Sequence, residues 1–216
     1  MIDSSDNAGR GRRSRRARGE RGSVLVEAAF ITPVLFFLLF SILEFGTAFR
    51  DYLAVANTTR DGSRAASVFG NDSSADFDTL QAIADASNVI DRRDIQRIVI
   101  YKATGPNTPV PTACTTATVG IVNTCNVYSA NALDLAESEF GCRSDRNLDR
   151  YWCPTATSST SPAQTGRKVA VSGTNGPPDY VGVWIKVNHN WLTGLFGRNL
   201  VLTDSTVMRM EPQSAV

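Results

Sequence analysis

Residues 21–49 have the sequence RGSVLVEAAFITPVLFFLLFSILEFGTAF, and the rest of the chain is organised around this stretch. Its centre, residues 28–43, contains no charged side chain and is rich in Leu and Phe. One glutamate lies on each side of that centre, Glu27 before it and Glu44 after it. An α-helix of residues 24–49 would be about 40 Å long, which is enough to cross a bilayer. We therefore expect a transmembrane helix there, with the two glutamates near the two membrane surfaces.

Pro33 lies inside this predicted helix. Proline removes one backbone hydrogen bond and crowds the preceding turn, so we expect a mild kink at this position. Membrane helices tolerate such a defect, and the prediction of a spanning helix therefore stands.

A cleavable secretory signal peptide is the alternative interpretation of the same stretch. Gly46 and Ala48 could fill the small-residue positions of a cleavage site after the apolar core. However, Glu44 and the bulky Phe45 would crowd that site. The pattern therefore favours a retained helix over ordinary signal-peptide cleavage.

The N-terminal tail is rich in arginine although the whole chain carries a net charge of only +1. Residues 1–22 contain seven arginines and three acidic residues, with no apolar run before residue 23. We expect residues 1–21 to form a disordered tail or leader that stays in the cytoplasm, because positive charge beside a membrane helix is retained there. A nucleic-acid-binding arm is the alternative, and the adjacent apolar segment argues against it.

Beyond the apolar stretch, the sequence predicts a small α+β domain. The apolar stripe of the long helix continues to about Gly70, so the outer half of that helix should pack on the domain. A second helix is expected from Ser73 or Ser74 to about Asn88, and a short helical pattern follows between 131 and 140. β-branched and aromatic residues predict strands at 95–102, 180–191 and 200–210. We expect a mostly antiparallel sheet of three or four strands packing on the long helix.

The four cysteines form two pairs with the same internal spacing. Ten residues separate Cys114 from Cys125, and ten separate Cys142 from Cys153. In an exported domain this pattern indicates two disulfides, most simply within each pair, although four cysteines allow three pairings. A zinc site is the alternative, but its usual closely spaced cysteine pairs are absent.

No residue pattern points to catalysis, a cofactor or a metal. His189 is the single histidine, and no Gly-x-Ser-x-Gly sequence or other nucleophile context accompanies it. Phosphate-binding and dinucleotide-binding glycine patterns are also absent. We interpret His189 as a half-buried residue near the end of a strand.

Residues 21–35, RGSVLVEAAFITPVL, followed by Glu44-Phe45-Gly46, resemble the TadE-like module of minor pilins, or pseudopilins, of tight-adherence (Tad, Flp-type) pili. The resemblance covers about residues 22–64. The C-terminal Met208-Arg209-Met210-Glu211 is similar to the end of such proteins, and the cysteine-containing part resembles versions from high-GC Gram-positive bacteria.

This resemblance implies a prepilin-peptidase site between Gly22 and Ser23, with Glu27 as the fifth residue after the glycine. The resemblance also implies that this glutamate pairs with the N-terminal amine of a neighbouring subunit. Physical chemistry agrees, since a carboxylate in a membrane is costly unless it is paired. The alternative is an uncleaved chain whose Glu27 lies at the membrane surface beside Arg21.

The resemblance further implies a non-enzymatic pseudopilin with a pilin-like helix. Its expected organisation is a tail or leader (1–21), a TadE-like module (22–64) and an extracytoplasmic domain (65–216). It is expected in the plasma membrane, crossed once with the N-terminus inside and the C-terminal domain outside, and associated with a pilus after processing. Expected partners are the lipid bilayer, other pilin subunits through the helix and a prepilin peptidase, with no nucleic acid. A membrane-tethered binding domain without a pilus role is the second hypothesis, and an exported enzyme is the third.

Overall fold

The computed structural model describes residues 17–70, 72, 74–140 and 178–212, which contain both helices and a sheet. There are three α-helices among these residues, α1 (Ala17–Phe69), α2 (Ala75–Ala86) and α3 (Thr112–Thr116). The four strands are β1 (Ile95–Ala103), β2 (Cys125–Tyr128), β3 (Tyr180–Asn190) and β4 (Asn199–Arg209), and α3 lies between β1 and β2 in the chain. Short 3-10 helices occur at Arg92–Asp94, Ala130–Asp134 and Glu137–Glu139. The predicted class, a long N-terminal helix followed by a small α+β domain with an antiparallel sheet, is confirmed.

α1 is a single helix of 53 residues that continues through Pro33. It ends where the sequence predicts, because Gly70 adopts a φ of 57°, a left-handed conformation that glycine takes without steric penalty. By the density of its internal contacts, the chain divides into two compact units, Met1–Phe45 and Gly46–Val216. The first unit contributes the apolar half of α1, and the second contains the remainder of α1 and the sheet.

The sheet has four antiparallel strands in the order β2-β1-β3-β4. β3 and β4 pair along their whole lengths, from Tyr180 opposite Arg209 to Asn190 opposite Asn199. Residues 191–198 connect them, close to the gap between the predicted strands at 180–191 and 200–210. β1 and β3 lie in the centre of the sheet, which explains their nearly continuous runs of buried residues.

β2 and the segment before it differ from the sequence-based expectation. The sequence predicts no helix or strand between Cys114 and Cys125, but this region begins inside α3 and ends at the first residue of β2. Four residues are too few to show a strand periodicity, so β2 is defined by its pairing with β1 and not by its own pattern. The helical pattern expected at 131–140 is present as two 3-10 helices instead of an α-helix.

Both faces of the sheet are covered. On one face, Val55 of α1 and Leu80 and Ile83 of α2 pack with aliphatic side chains of the two central strands. The strand residues include Ile98, Ile100, Val183 and Ile185. On the other face lies a smaller cluster that consists of Val99, Tyr101, Ala103, Cys114, Cys125 and Trp184. The domain core therefore forms around β1 and β3.

Two glycines allow close packing in this core. A Cβ atom at Gly182 would lie 2.3 Å from the ring of Tyr101, the residue directly opposite on β1. A Cβ atom at Gly62 of α1 would lie 2.7 Å from Cγ1 of Ile83 on α2. Only a residue without a side chain fits at either position without displacing its neighbour.

Polar side chains of α1 add hydrogen bonds to β4. Ser63 donates its hydroxyl to the main-chain oxygen of Thr206, at 2.7 Å. Thr59 donates to the carboxylate of Asp204. The outer half of α1 is thus fixed on the sheet by polar contacts as well as by apolar packing.

Candidate functional site

The N-terminal part of α1 carries the residues that the sequence singled out. Gly22, Ser23 and Glu27 all lie on the helix, and all three are exposed. Apart from the adjacent residues and backbone of its own helix, no described atom comes within 4 Å of the place where a Cβ at Gly22 would sit. Ser23 and Glu27 are four residues apart and therefore lie on the same helical face. The structure thus leaves this segment open to a partner.

Glu27 is surrounded by exposed apolar side chains. Large hydrophobic residues on every side of the helix are exposed between residues 24 and 43, including Val24, Leu25, Val26, Phe30, Ile31, Val34, Leu35, Phe36 and Leu43. A helix that is apolar all round is suited to lipid or to packing between other helices, not to one face of a soluble core. A carboxylate on such a surface is costly in lipid unless a cation pairs with it.

The apolar helix contains little that is polar. The hydroxyl of Ser41 donates to the carbonyl of Phe37 at 2.8 Å, which satisfies it inside the helix. By length and composition, Gly22–Phe69 can cross a membrane, and it is the one such helix in the part of the chain that the structure describes. The two glutamates that flank the apolar run differ, because Glu27 is exposed whereas Glu44 is fully buried.

A second cluster of polar residues lies in the other unit, where α1 meets the end of β3. Nδ1 of His189 lies 2.7 Å from Oδ2 of Asp51, and their side chains are 4% and 17% exposed. Arg50 bonds to the other carboxylate oxygen of Asp51, at 2.9 Å. A cavity of about 220 Å³ adjoins this pair, and its lining includes Thr47, Asp94 and Leu192.

The Asp51–His189 pair resembles two members of a catalytic triad, but no residue in the described part of the chain takes the third place. Nε2 of His189 is buried and has no hydrogen-bond partner among the described residues. A nucleophile that used this histidine as a base would have to lie within hydrogen-bond reach of that atom. What the structure shows is that His189 joins the end of β3 to α1 through Asp51. Its partner was not identifiable from the sequence, since 138 residues separate the two.

A buried carboxylate connects α2 to β2. Oδ2 of Asp76 accepts hydrogen bonds from the amide of Asn126 and the hydroxyl of Tyr128, both at 2.6 Å. Asp76, Asn126 and Tyr128 are all buried. The sequence indicated only that Asp76 lies in the first turn of a helix, whereas the structure shows that it binds two residues of a neighbouring strand.

Cys114 and Cys125 form a disulfide between α3 and β2. Cys142 and Cys153 lie outside the described residues, so their pairing stays a prediction. Among the residues that are described, no group of three or more His, Cys, Asp or Glu side chains could hold a metal ion.

Comparison with known proteins assigns the N-terminal segment. A family model described as TadE-like protein matches residues 22–64. This match confirms the resemblance predicted from the residues of that segment, and it covers 43 of the 216 residues. No curated protein and no solved structure matches the chain. Together, the apolar helix and the family match indicate a membrane protein.

Proposed function

We propose that this protein is a minor pilin, or pseudopilin, of a Tad-type pilus assembly or secretion system. The observation that carries the proposal is the TadE-like match at residues 22–64 on a helix that is apolar on all sides and carries one exposed carboxylate, Glu27. A simple membrane anchor would be more stable in lipid without that charge. The helix is therefore suited to a partner that neutralises it.

The proposed partner of Glu27 is the N-terminal amine of a neighbouring pilin subunit. A prepilin peptidase would cut between Gly22 and Ser23, both exposed, and would leave Glu27 as the fifth residue of the mature chain. An ammonium group next to the carboxylate stabilises both charges in a medium of low dielectric constant. The helix face around Glu27 then packs against pilin helices and not only against lipid.

The proposed topology places residues 1–21 in the cytoplasm, the TadE-like module at 22–64 across the membrane, and the domain at 65–216 outside. The arginines of the tail support this orientation through the positive-inside rule. The disulfide between Cys114 and Cys125 supports it independently, because disulfides persist on the oxidising side of the membrane. The protein acts through assembly and not through catalysis in this proposal.

Processing is the first experiment. The full chain is expressed with and without an active prepilin peptidase, and the N-terminus of the membrane-bound product is determined. We expect a new N-terminus at Ser23 that requires the peptidase and that is lost in Gly22→Asp. A full-length chain that persists beside an active peptidase would rule out the processed form and would favour a membrane-tethered domain without a pilus role.

Assembly is the second experiment. Glu27→Gln removes the charge and keeps the size of the side chain, whereas Glu27→Asp keeps the charge as a matched control. We expect Glu27→Gln to reduce the number of assembled pili in the native host while leaving the amount of membrane-bound protein unchanged. Equal piliation in both variants would contradict the proposed pairing role.

A further inference from the structure

The connection between β3 and β4 exposes a group of large apolar side chains. Leu192, Leu195 and Phe196 are 71%, 52% and 38% exposed, and we call these three residues the apolar tip. They lie within residues 191–198, between two strands that are otherwise fully paired. Clustered exposed apolar residues commonly mark a surface that contacts a membrane or a partner.

The apolar tip is held by an ordered turn. The amide of Trp191 donates to the carbonyl of Arg198, and the amide of Gly197 donates to the carbonyl of Gly194, both at 3.3 Å. The rings of Trp191 and Phe196 lie 5.6 Å apart. Gly194 and Gly197 have φ angles of 72° and 110°, which allow this turn to form. The backbone conformation of this turn therefore holds the three side chains of the apolar tip in their exposed positions.

Contacts between α1 and the sheet show at which end of the domain the tip lies. Moving along α1 towards its N-terminus, Ser63 bonds to Thr206, and Asp51 then bonds to His189, one residue before the end of β3. Still nearer the N-terminus, Thr47 lines the same cavity as Leu192 of the tip. The tip thus lies at the Gly46 end of the second unit, where the chain connects to the apolar half of α1.

This position makes a lipid bilayer the occupant that fits the apolar tip. The uncharged run ends at Leu43, only three residues before Gly46. Trp191 is a residue type enriched at membrane surfaces, where its ring lies at the level of the headgroups, and Phe196 places an apolar ring beside it. Arg198 is exposed next to the tip, and the side chain of Arg50 is 60% exposed on α1, so both can approach anionic headgroups.

We propose that Leu192, Leu195 and Phe196 insert into the surface of the same bilayer that α1 crosses, on the side of the folded domain. This inference rests on the membrane insertion of α1 that forms part of the proposed function. The domain would then contact the membrane twice, through the helix and through the tip, and this would fix its orientation before assembly.

Site-specific fluorescence in vesicles tests the proposal. The full chain carrying Cys142→Ser and Cys153→Ser is reconstituted in phosphatidylcholine–phosphatidylglycerol vesicles under non-reducing conditions, which keep the disulfide intact. One environment-sensitive fluorophore is attached to Leu195→Cys in the tip. The matched control is Asn107→Cys, an exposed position in the loop after β1, at the opposite end of the sheet. A third label at Leu39→Cys reports on the apolar half of α1.

We expect the label at residue 195 to shift to shorter emission wavelength and to be quenched by lipids with brominated acyl chains, whereas the label at 107 shows neither change. Quenching at 39 without quenching at 195 would overturn this inference alone. If neither 39 nor 195 is quenched, α1 is not in the bilayer, and the proposed function fails together with the inference. A wavelength shift at 195 that brominated lipids do not affect would identify a protein neighbour and would also overturn the proposal.

Discussion

Nδ1 of His189 lies 2.7 Å from the carboxylate of Asp51 and so joins the end of β3 to α1. A carboxylate accepts hydrogen bonds, so Nδ1 carries the hydrogen and donates it. The ring of His189 also meets Trp191 edge to face, with ring centroids 5.0 Å apart. This pair therefore supports the turn that follows β3 as well as the contact between helix and sheet.

Removing the acceptor should destabilise the domain. We expect Asp51→Ala to lower the free energy of unfolding by about 1–3 kcal/mol, because a buried imidazole N–H loses its partner. Asp51→Asn keeps an acceptor oxygen, so its free energy of unfolding should fall by less than that of Asp51→Ala. Arg50→Ala removes an exposed ion pair and should change stability by less than about 1 kcal/mol. All three variants are compared by denaturant unfolding of the full chain in detergent, followed by near-ultraviolet circular dichroism. Equal free energies of unfolding for Asp51→Ala and wild type would show that the Asp51–His189 pair does not stabilise the domain.

A methyl group at Gly182 should also destabilise the sheet. The ideal Cβ lies 2.3–2.7 Å from three ring carbons of Tyr101, and a buried ring has little room to move. We expect Gly182→Ala to cost about 1–3 kcal/mol through overpacking. Gly105→Ala, in a loop where nothing lies within 4 Å, is the control. Gly182→Ala should lower the free energy of unfolding by less when Tyr101→Val is also present, because the ring is then gone. Purely additive effects of the two substitutions would argue against a direct overlap between the Cβ atom and the ring.

Gly62 offers a test in which helix propensity and packing act in opposite directions. Alanine is favoured over glycine inside a helix by about 1 kcal/mol. At Gly62 that gain competes with the contact to Ile83, whereas Gly46 on the same helix has nothing within 4 Å. We expect Gly46→Ala to be neutral or stabilising and Gly62→Ala to be destabilising by thermal unfolding. A stabilising Gly62→Ala would mean that the side chain of Ile83 shifts easily.

Gly62 also illustrates which parts of this fold the sequence can predict. The apolar helix and the strands β1, β3 and β4 follow from composition and periodicity within one segment, and they lie close to their predicted positions. From the sequence, Gly62 indicates only a weak point in a helix. The structure shows why a glycine fits there, because a Cβ atom would overlap the side chain of Ile83 on α2.

The same limit applies to the polar sites. The positions of Gly22 and Glu27 on the helix follow from local sequence, and the family match covers both residues. The partners of Asp51 and Asp76 are 138 and about 50 residues away, and no local pattern encodes such distant pairs. β2 is likewise too short to be recognised before its pairing with β1 is known.

Tyr101 should make stability depend on alkaline pH. Burial raises the pKa of its phenol, and a hydrogen bond with Ser205 opposes that shift only in part. Since the pKa is higher in the folded than in the unfolded chain, the stabilisation is fully present below about pH 10 and is lost as the pH rises through the folded value. We expect the denaturation midpoint to fall over that range and to fall less in Tyr101→Phe. The phenolate absorbance of the folded protein should show one tyrosine that ionises at a higher pH than the unfolded chain would. If this high-pH ionisation is still present in Tyr101→Phe, it does not belong to Tyr101.

The hydrogen bond from Ser63 to the main-chain oxygen of Thr206 has a consequence for how copies of this chain can associate. β4 is an edge strand of 11 residues, the kind of edge that can template the addition of a strand from another molecule. At Thr206, the main chain of this edge strand is already bonded to the side chain of Ser63 on α1. We expect this contact to hinder strand addition at Thr206, through the same helix that is proposed to assemble the filament.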